Sequence, residues 1–421
     1  MKKYDFQNID RWILLTMLVV WSVMQFIFVY AYGTTDVGVM GDPSAYRFLA
    51  LQAVEQGTWY PNLSNYHDNF IFAPGYVNFI CLVLYLGGSL KIVLFLQVLF
   101  NILIVLILYK LTSKVFGRHE AFIAACIYML LPSNLLSPTV GYTELLFILL
   151  SLSAIYCSLS EKKYLIVIAG ILIGLANWVR PLGMVWLFAI MIYYIVNKVD
   201  YKKYMCLFVG SVAIVCLIGI FTKEHFPDFN YSSSTGGWNL IMGANDDCDG
   251  GYNDLVFKEG HIGYIDESAQ YTYKQRDDFY KSQAIDWVLN NPITYLKYLP
   301  SKVKLLFMFD NQYDISGNLI EAQSRPIFLL SKVTFSNKLV RNGANMLYWC
   351  ILLMSLISLC LCMKDKNILL FQMIVLGTTA MTLATVGHPR YHQVFMPYII
   401  VCASYMMCML VKMIRMKKNG C

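Results

Sequence analysis

Charged residues are scarce in this sequence. Asp, Glu, Lys and Arg make up 14% of the 421 residues, whereas soluble domains average about 25%. Crossing a bilayer takes about 20 mostly apolar residues in a helix, and snorkelling Lys or Arg can extend shorter runs. The scarcity excludes a soluble protein and predicts an all-α polytopic membrane protein with about ten transmembrane helices. The uncharged runs are 12–35, 92–109, 121–143, 145–160, 164–179, 181–197, 204–222, 342–363, 367–389 and 391–411.

Three further absences narrow the class. No small-residue cleavage site follows the first run, which predicts an uncleaved signal anchor. Of the twelve cysteines, Cys248 alone falls in the long polar loop, which excludes a disulfide within that loop. We find no repeat between the two halves, which weakens an inverted-repeat transporter interpretation. The basic residues are dispersed at the ends of the runs, so the net charge of +7 does not indicate a nucleic-acid partner.

The basic residues predict the orientation. With ten crossings, one side carries seventeen Lys and Arg residues, and the short segments of the other side carry Arg47, Lys91, Arg180 and Arg390. By the positive-inside rule, both termini are predicted to lie in the cytoplasm. The protein itself is predicted to lie in the inner (plasma) membrane. The predicted parts are an N-terminal module, 1–222, with a first outer loop, 33–90; a long outer loop, 223–344; and C-terminal helices, 345–421.

Both outer loops are expected to carry helices that lie in the plane of the membrane. Residues 75–88 are apolar, and Trp287, Tyr295 and Tyr298 lie among Lys297, Lys302 and Lys304. Aromatic and basic side chains mixed in this way are typical of helices at a membrane surface.

The first outer loop begins a helix in residues 41–57. Asp42 followed by Pro43 predicts an N-cap and a first helical turn, and Gly57 predicts the end. A role as a helix cap alone would therefore be enough to explain Asp42. A carboxylate there would also be kept ionised by the helix dipole.

The spacing in this loop resembles the opening of the GT-C class glycosyltransferases. The residues that carry the resemblance are Asp42, Tyr46, Ala50, Gly57, Trp59 and the segment Phe72-Ala73-Pro74-Gly75-Tyr76. The aminoarabinose transferase and protein O-mannosyltransferase families belong to this class. The resemblance implies that Asp42 is the catalytic base, and that Tyr46 and Tyr76 contact substrate.

Two departures from the class concern the donor. Many relatives have Glu directly after the Asp, where this chain has Pro43. The aminoarabinose enzymes have a Lys, thought to hold the donor phosphate, where this chain has Ala73. The contact to the donor phosphate must therefore differ.

Arginine is suited to that contact, because its planar fork binds two phosphate oxygens. Arg180 precedes Pro181 at an outer span end, and Arg390 precedes Tyr391 between the last two spans. Both neighbourhoods resemble segments of the class, and both arginines are predicted to bind the donor phosphate. His388 and Tyr391 are predicted to contact substrate. Arg180 could instead snorkel to head groups. Glu144 is predicted to contact substrate, although an acid in the first turn of a helix explains it equally well.

The long loop holds a Gly-rich segment, 235–245, that looks like one in bacterial members of the class. Trp238 could stack on a sugar, and Asn239 and Asn245 could bind hydroxyls; an ordinary turn series is the alternative. Residues 245–250 fit the start of a calcium loop, but Val256 stands where the closing Glu belongs. No metal site or cofactor is predicted, and a divalent metal is not excluded.

The implied activity is transfer of a sugar from a polyprenyl-phosphate-linked donor to a glycan, lipid or protein acceptor at the outer face of the bilayer. The alternatives are a polysaccharide polymerase or ligase, and a transporter of lipid-linked glycans. A transporter would need polar groups within its spans, and the apolar runs contain few.

Overall fold

The computed structural model describes residues 6–37, 41–62, 70–223, 226, 230–266, 268–310, 338–362 and 365–418. Within these ranges, all of the regular secondary structure is helical. The α-helices are α1 Phe6–Tyr32, α2 Asp42–Glu55, α3 Pro74–Tyr85, α4 Leu90–Val115, α5 Arg118–Leu130, α6 Pro132–Leu136, α7 Glu144–Ser158, α8 Lys163–Val179, α9 Gly183–Val196, α10 Tyr201–Lys223, α11 Gly236–Met242, α12 Tyr273–Asn290, α13 Pro292–Phe307, α14 Lys338–Leu361, α15 Lys366–Ala384 and α16 Met396–Lys418. Short 3₁₀ helices cover Ser137–Thr139, Asp254–Phe257 and Pro389–Phe395.

The all-helical, multi-span prediction is confirmed, but a count of ten spans is not. In the described residues, six helices are long and apolar enough to cross a membrane, or seven if the bent pair Arg118–Leu130 and Pro132–Thr139 forms one span. This pair bends by 65° at Pro132, because proline lacks an N–H and clashes with the preceding turn. Helices α7, α8 and α9 have only 15, 17 and 14 residues.

Small residues let α8 and α10 pack closely. A Cβ atom at Gly170 would overlap the carbonyl oxygen of Leu207, and one at Gly210 would overlap that of Val167. Gly174 faces Ile214 in the same way. Glycines at helix contacts allow such close approach of two backbones in a membrane. The contact fixes α8, whose C-terminal end leads directly to Arg180.

Helix α3, in the second half of the first loop, packs against the end of α8. Its one face is buried through residues such as Tyr76 and Ile80. Gly75 lies against the backbone of Trp178, and the Trp178 indole N–H donates to Asn78 Oδ1 at 2.9 Å. The predicted helix in this stretch is present, while its position in the membrane plane stays a prediction.

The long loop forms most of a second apolar core, to which Val386, from the segment between α15 and the 3₁₀ helix Pro389–Phe395, also belongs. Side chains from α11, the 3₁₀ helix 254–257 and α12 enclose it, among them Ile241, Val256 and Tyr280. On α13, Lys297 is exposed as a membrane-surface helix requires, but Lys302 is completely buried. Residues 311–337 of the predicted loop lie outside the described residues.

The predicted orientation can be tested with single cysteines introduced into a cysteine-free background. Positions 62, 162 and 259 carry exposed residues of the first loop, the α7–α8 connection and the long loop. An impermeant thiol reagent applied from outside should label positions 62 and 259 in intact cells, and position 162 only after permeabilisation. The opposite pattern would place the first loop and the long loop in the cytoplasm.

Candidate active site

Asp42 begins α2, yet it is not the cap that the sequence predicted. The N-cap is Gly41, at φ 121° and ψ 163°, and no side chain caps the helix. Glycine takes this positive φ readily, whereas Asp would be strained there. The Asp42 carboxylate points instead to Arg390, with Oδ2 2.5 Å from the guanidinium Nη1. Its side chain is 40% exposed, so one side of the carboxylate remains accessible.

Arg390 also contacts a second carboxylate, that of Glu144. Arg390 Nε lies 2.6 Å from Glu144 Oε1, and Arg180 Nη1 lies 2.7 Å from the same oxygen. Arg180 additionally donates to Thr143 Oγ1 at 2.9 Å. The Glu144 side chain has no exposed surface, and those of Arg180 and Arg390 are only 14% and 10% exposed. Four charges from four separate segments thus form one network, which we call the charge network.

Arg390 is held by the 3₁₀ helix Pro389–Phe395 and by an aromatic ring. His388 caps this helix, since its Nδ1 accepts from the Arg390 N–H at 3.3 Å. The guanidinium lies 4.0 Å from the centre of the Tyr142 ring, a favourable cation–π contact. The Tyr391 ring lies 5.5 Å from that of His388. Their substrate contacts stay predictions.

Glu144 is placed by a tight turn at Gly141, where φ is +78°. The Tyr76 hydroxyl donates to the Gly141 carbonyl at 2.8 Å, and Gln97 Nε2 donates to the Tyr142 carbonyl at 2.9 Å. Tyr76 is completely buried. The structure therefore shows Tyr76 supporting the turn that carries Glu144.

Tyr46 joins the charge network from α2. Its hydroxyl donates to Asp42 Oδ2 at 3.4 Å, and its ring meets the Tyr76 ring edge-on at 5.4 Å between centroids. Burial, followed by the charge of Asp42, raises the Tyr46 pKa well above its usual range. The phenol is therefore protonated at physiological pH and remains a hydrogen-bond donor to the carboxylate.

Two residues of the site were not predicted from the sequence. Arg47 donates to the carbonyls of Asp36 and Val140 at 2.8 and 3.2 Å, and so ties the first loop to the turn before Glu144. Tyr252 of the long loop lies near the site: burial, then Asp254, and less strongly Tyr391 and Asp42, raise the pKa of its hydroxyl. The only sequence signals were an Arg beside Tyr46 and a Tyr after two glycines.

Trp238, Asn239 and Asn245 make structural contacts within the long loop. The Trp238 ring stacks on Phe257 at 3.8 Å. Asn239 Nδ2 donates to the Thr235 carbonyl, and the buried Asn245 donates to the Ile241 carbonyl. Their sugar-binding roles stay predictions.

The residues that suggested the start of a calcium loop also have partners inside the loop. Asp247 Oδ2 lies 2.6 Å from His261 Nδ1, and its backbone N–H donates to Asn245 Oδ1 at 2.8 Å. Asp249 Oδ1 accepts from the Gly251 N–H at 2.8 Å. Among the described residues, no group of three or more His, Cys, Asp and Glu side chains could hold a metal ion.

Comparisons with known proteins match the chain in parts. Residues 73–221 match the family model of dolichyl-phosphate-mannose-protein mannosyltransferase; this segment holds Glu144 and Arg180 but neither Asp42 nor Arg390. A curated relative, GPI mannosyltransferase 2 of Cryptococcus neoformans var. neoformans serotype D, is 38% identical over 79 residues. The aligned segment covers 19% of this chain and 18% of the relative.

The fold is similar to that of a solved oligosaccharyltransferase from Archaeoglobus fulgidus. Its apo form superimposes with a TM-score of 0.53 at 15% identity, covering 99% of this chain and 52% of that one. The chain has a GT-C class fold. It spans about half the length of the archaeal enzyme. The same archaeal protein, in complex with an inhibitory peptide and a dolichol-phosphate, matches at a TM-score of 0.52 and 14% identity, covering 97% and 51% of the two chains.

Within this GT-C fold, Glu144→Gln should destabilise the protein, because two arginines would lose their shared buried carboxylate. Removing one partner of a buried ion pair typically costs about 3–5 kcal/mol. We expect a clearly lower unfolding temperature in detergent. The control is Glu161→Gln, which removes the 91% exposed partner of Lys203 and should leave that temperature unchanged. Equal stability of the two variants would contradict a structural role for the charge network.

Proposed function

We propose that the protein is an integral membrane glycosyltransferase that takes its sugar from a polyprenyl-phosphate-linked donor. The acceptor is a glycan, lipid or protein at the outer face of the membrane. The observation that carries the proposal is the contact of a partly exposed carboxylate, Asp42, with Arg390, which is itself anchored on buried Glu144. A base and a phosphate-binding cation thus lie side by side where the two substrates would meet.

The reaction requires a base and a cation, and the charge network offers Asp42 as the base and its two arginines as the cations. The acceptor oxygen forms a bond to the anomeric carbon, while the bond from that carbon to the phosphate oxygen breaks. Asp42 receives the acceptor proton as general base. The lipid phosphate leaves with the bonding electron pair, and Arg390 and Arg180 stabilise its negative charge.

The ion pair also explains how donor binding would activate the base. Arg390 uses Nε toward the buried Glu144 and Nη1 toward the more exposed Asp42. A phosphate arriving at the site competes for the exposed Nη1 side rather than for the buried one. Asp42 would then be released from its ion pair, which leaves its carboxylate oxygens free to accept the proton of the acceptor hydroxyl.

The relatives support a lipid-linked donor. The matching family model is described by its use of dolichyl-phosphate-mannose, and the archaeal oligosaccharyltransferase was solved with a dolichol-phosphate. The two arginines of the charge network offer this chain a corresponding phosphate contact.

Asp42→Asn should lower the turnover number at least ~10²-fold, the smaller effect expected of a positioned general base. The amide keeps the size of the side chain but cannot take the proton. The donor for this assay is the lipid-linked sugar that accumulates in cells lacking the protein. Asp36→Asn is the control, because Asp36 is an exposed carboxylate of the same loop. Full activity of a stable Asp42→Asn protein would remove Asp42 from the chemistry.

Arg390→Ala and Arg180→Ala should each weaken binding of undecaprenyl phosphate, a lipid phosphate without sugar, by about tenfold or more, since hydrogen bonds to charged groups contribute about 1.5–3 kcal/mol. The corresponding Lys variants should recover only part of the affinity, because an ammonium replaces a two-pronged donor. Native mass spectrometry or tryptophan fluorescence in detergent measures the affinity. Normal binding by both Ala variants would place the phosphate elsewhere.

A further inference from the structure

The segment that leads into Arg390 is tied down by the long loop. This strap, residues 383–387, consists of the last two residues of α15 and the next three residues, which lead to the 3₁₀ helix of Arg390. Lys302 Nζ donates to the Leu383 carbonyl at 3.1 Å and to the Gly243 carbonyl of the long loop at 2.8 Å. The contacts join two parts of the long loop, α13 and the turn at Gly243, to the strap at one point.

Two more hydrogen bonds fix the same segment. The Tyr295 hydroxyl donates to the Ala384 carbonyl at 3.1 Å, and the Gly387 N–H donates to the Gly250 carbonyl at 2.8 Å. The last of these lies three residues before Arg390. Each end of the strap is therefore bonded to the long loop or to α13.

Glycines bring these backbones into direct contact. A Cβ atom at Gly243 would overlap the Thr385 carbonyl oxygen, and one at Gly387 would overlap the carbonyl oxygen of Lys302. Any side chain at either position would push the strap away. The position of the strap is thus set by backbone contact, with the Lys302 side chain filling the space between.

Burying the ammonium group of Lys302 costs more free energy than a purely structural contact would require. Its side chain has no exposed surface, and within the described residues it takes part in no ion pair. Burial lowers the pKa of Lys302 to about 8, with a partly opposing effect of Cys248. Among the described residues, the ammonium contacts the two carbonyl oxygens and the Tyr295 ring, whose centre lies 4.6 Å away. A buried ammonium without a carboxylate costs free energy.

We propose that Lys302 is a positioning residue for Arg390: by bonding the strap to the long loop, it sets where the guanidinium meets the donor phosphate. The inference rests on the proposed function, since it gives Arg390 the phosphate to hold. It adds a dependence of the phosphate site on the long loop. Lys302 acts through Arg390 and does not touch the substrate itself.

The test measures affinity for undecaprenyl phosphate with the full-length protein in detergent. Lys302→Met keeps the length of the side chain and removes both hydrogen bonds to the carbonyls. It should weaken binding about tenfold, within the range known for residues that act through a coupled network. The control, Lys297→Met, makes the same change on an exposed residue of α13 and should bind as the wild type does.

A double-mutant cycle separates positioning from general damage to the fold. In an Arg390→Lys background, the flexible ammonium no longer depends on an exact orientation, so Lys302→Met should there cost less than about threefold. Non-additivity of this kind marks two residues that act on one interaction. Equal losses in both backgrounds, or no loss from Lys302→Met alone, would overturn the inference and leave the proposed function intact.

Two further results are decisive. If Lys302→Met does not fold, Tyr295→Phe takes its place, because it removes only the hydrogen bond to Ala384. Tyr295→Phe should weaken binding in the wild-type background and not in the Arg390→Lys background. The absence of that difference would overturn the inference. If Arg390→Ala binds undecaprenyl phosphate normally, the phosphate role of Arg390 fails, and the inference fails with it.

Discussion

Glu144 is a carboxylate without access to solvent, and the site depends on how its charge is met. An isolated buried carboxylate would cost many kcal/mol, so it must be paired or neutralised. Here two arginines from distant parts of the chain, Arg180 and Arg390, bind the same oxygen. The pairing forces the end of α8 and the start of the last helix to meet at the turn that begins α7. The requirement to satisfy one charge thereby brings together segments 246 residues apart.

Sharing one carboxylate also leaves the arginines available for further anions. Two guanidiniums facing Glu144 alone would carry excess positive charge, and Asp42 supplies the fourth member of the charge network. The two acids are not equivalent, since Glu144 is fully buried while Asp42 is 40% exposed. An incoming phosphate can therefore replace the exposed partner and leave the buried one in place. The side chain of Arg390 therefore makes one fixed ion pair, with Glu144, and one that a phosphate can displace, with Asp42.

Much of this arrangement could be predicted from the sequence, because the bilayer imposes simple rules. Charge-free runs gave the helices, and the spacing after Asp42 indicated the GT-C class. Of the residues named for the site, Asp42, Tyr46, Glu144, Arg180 and Arg390 do meet in the structure. Trp238, Asn239 and Asn245 instead make contacts within the long loop. That Glu144 binds both arginines could not be predicted, since a local pattern holds no information on which distant charges meet.

The misses share a physical cause. Asp42 looked like a cap because Asp before Pro usually is one, yet Gly41 adopts the capping position through a backbone angle that composition does not reveal. Lys302 looked like a membrane-surface lysine because it lies among aromatic residues and two further lysines, Lys297 and Lys304, both of which are exposed in the structure. Its burial follows from the strap, which packs against α13 only because Gly243 and Gly387 lack side chains. A glycine signals such a contact only once its partner is known, so the link between the long loop and Arg390 becomes visible in three dimensions alone.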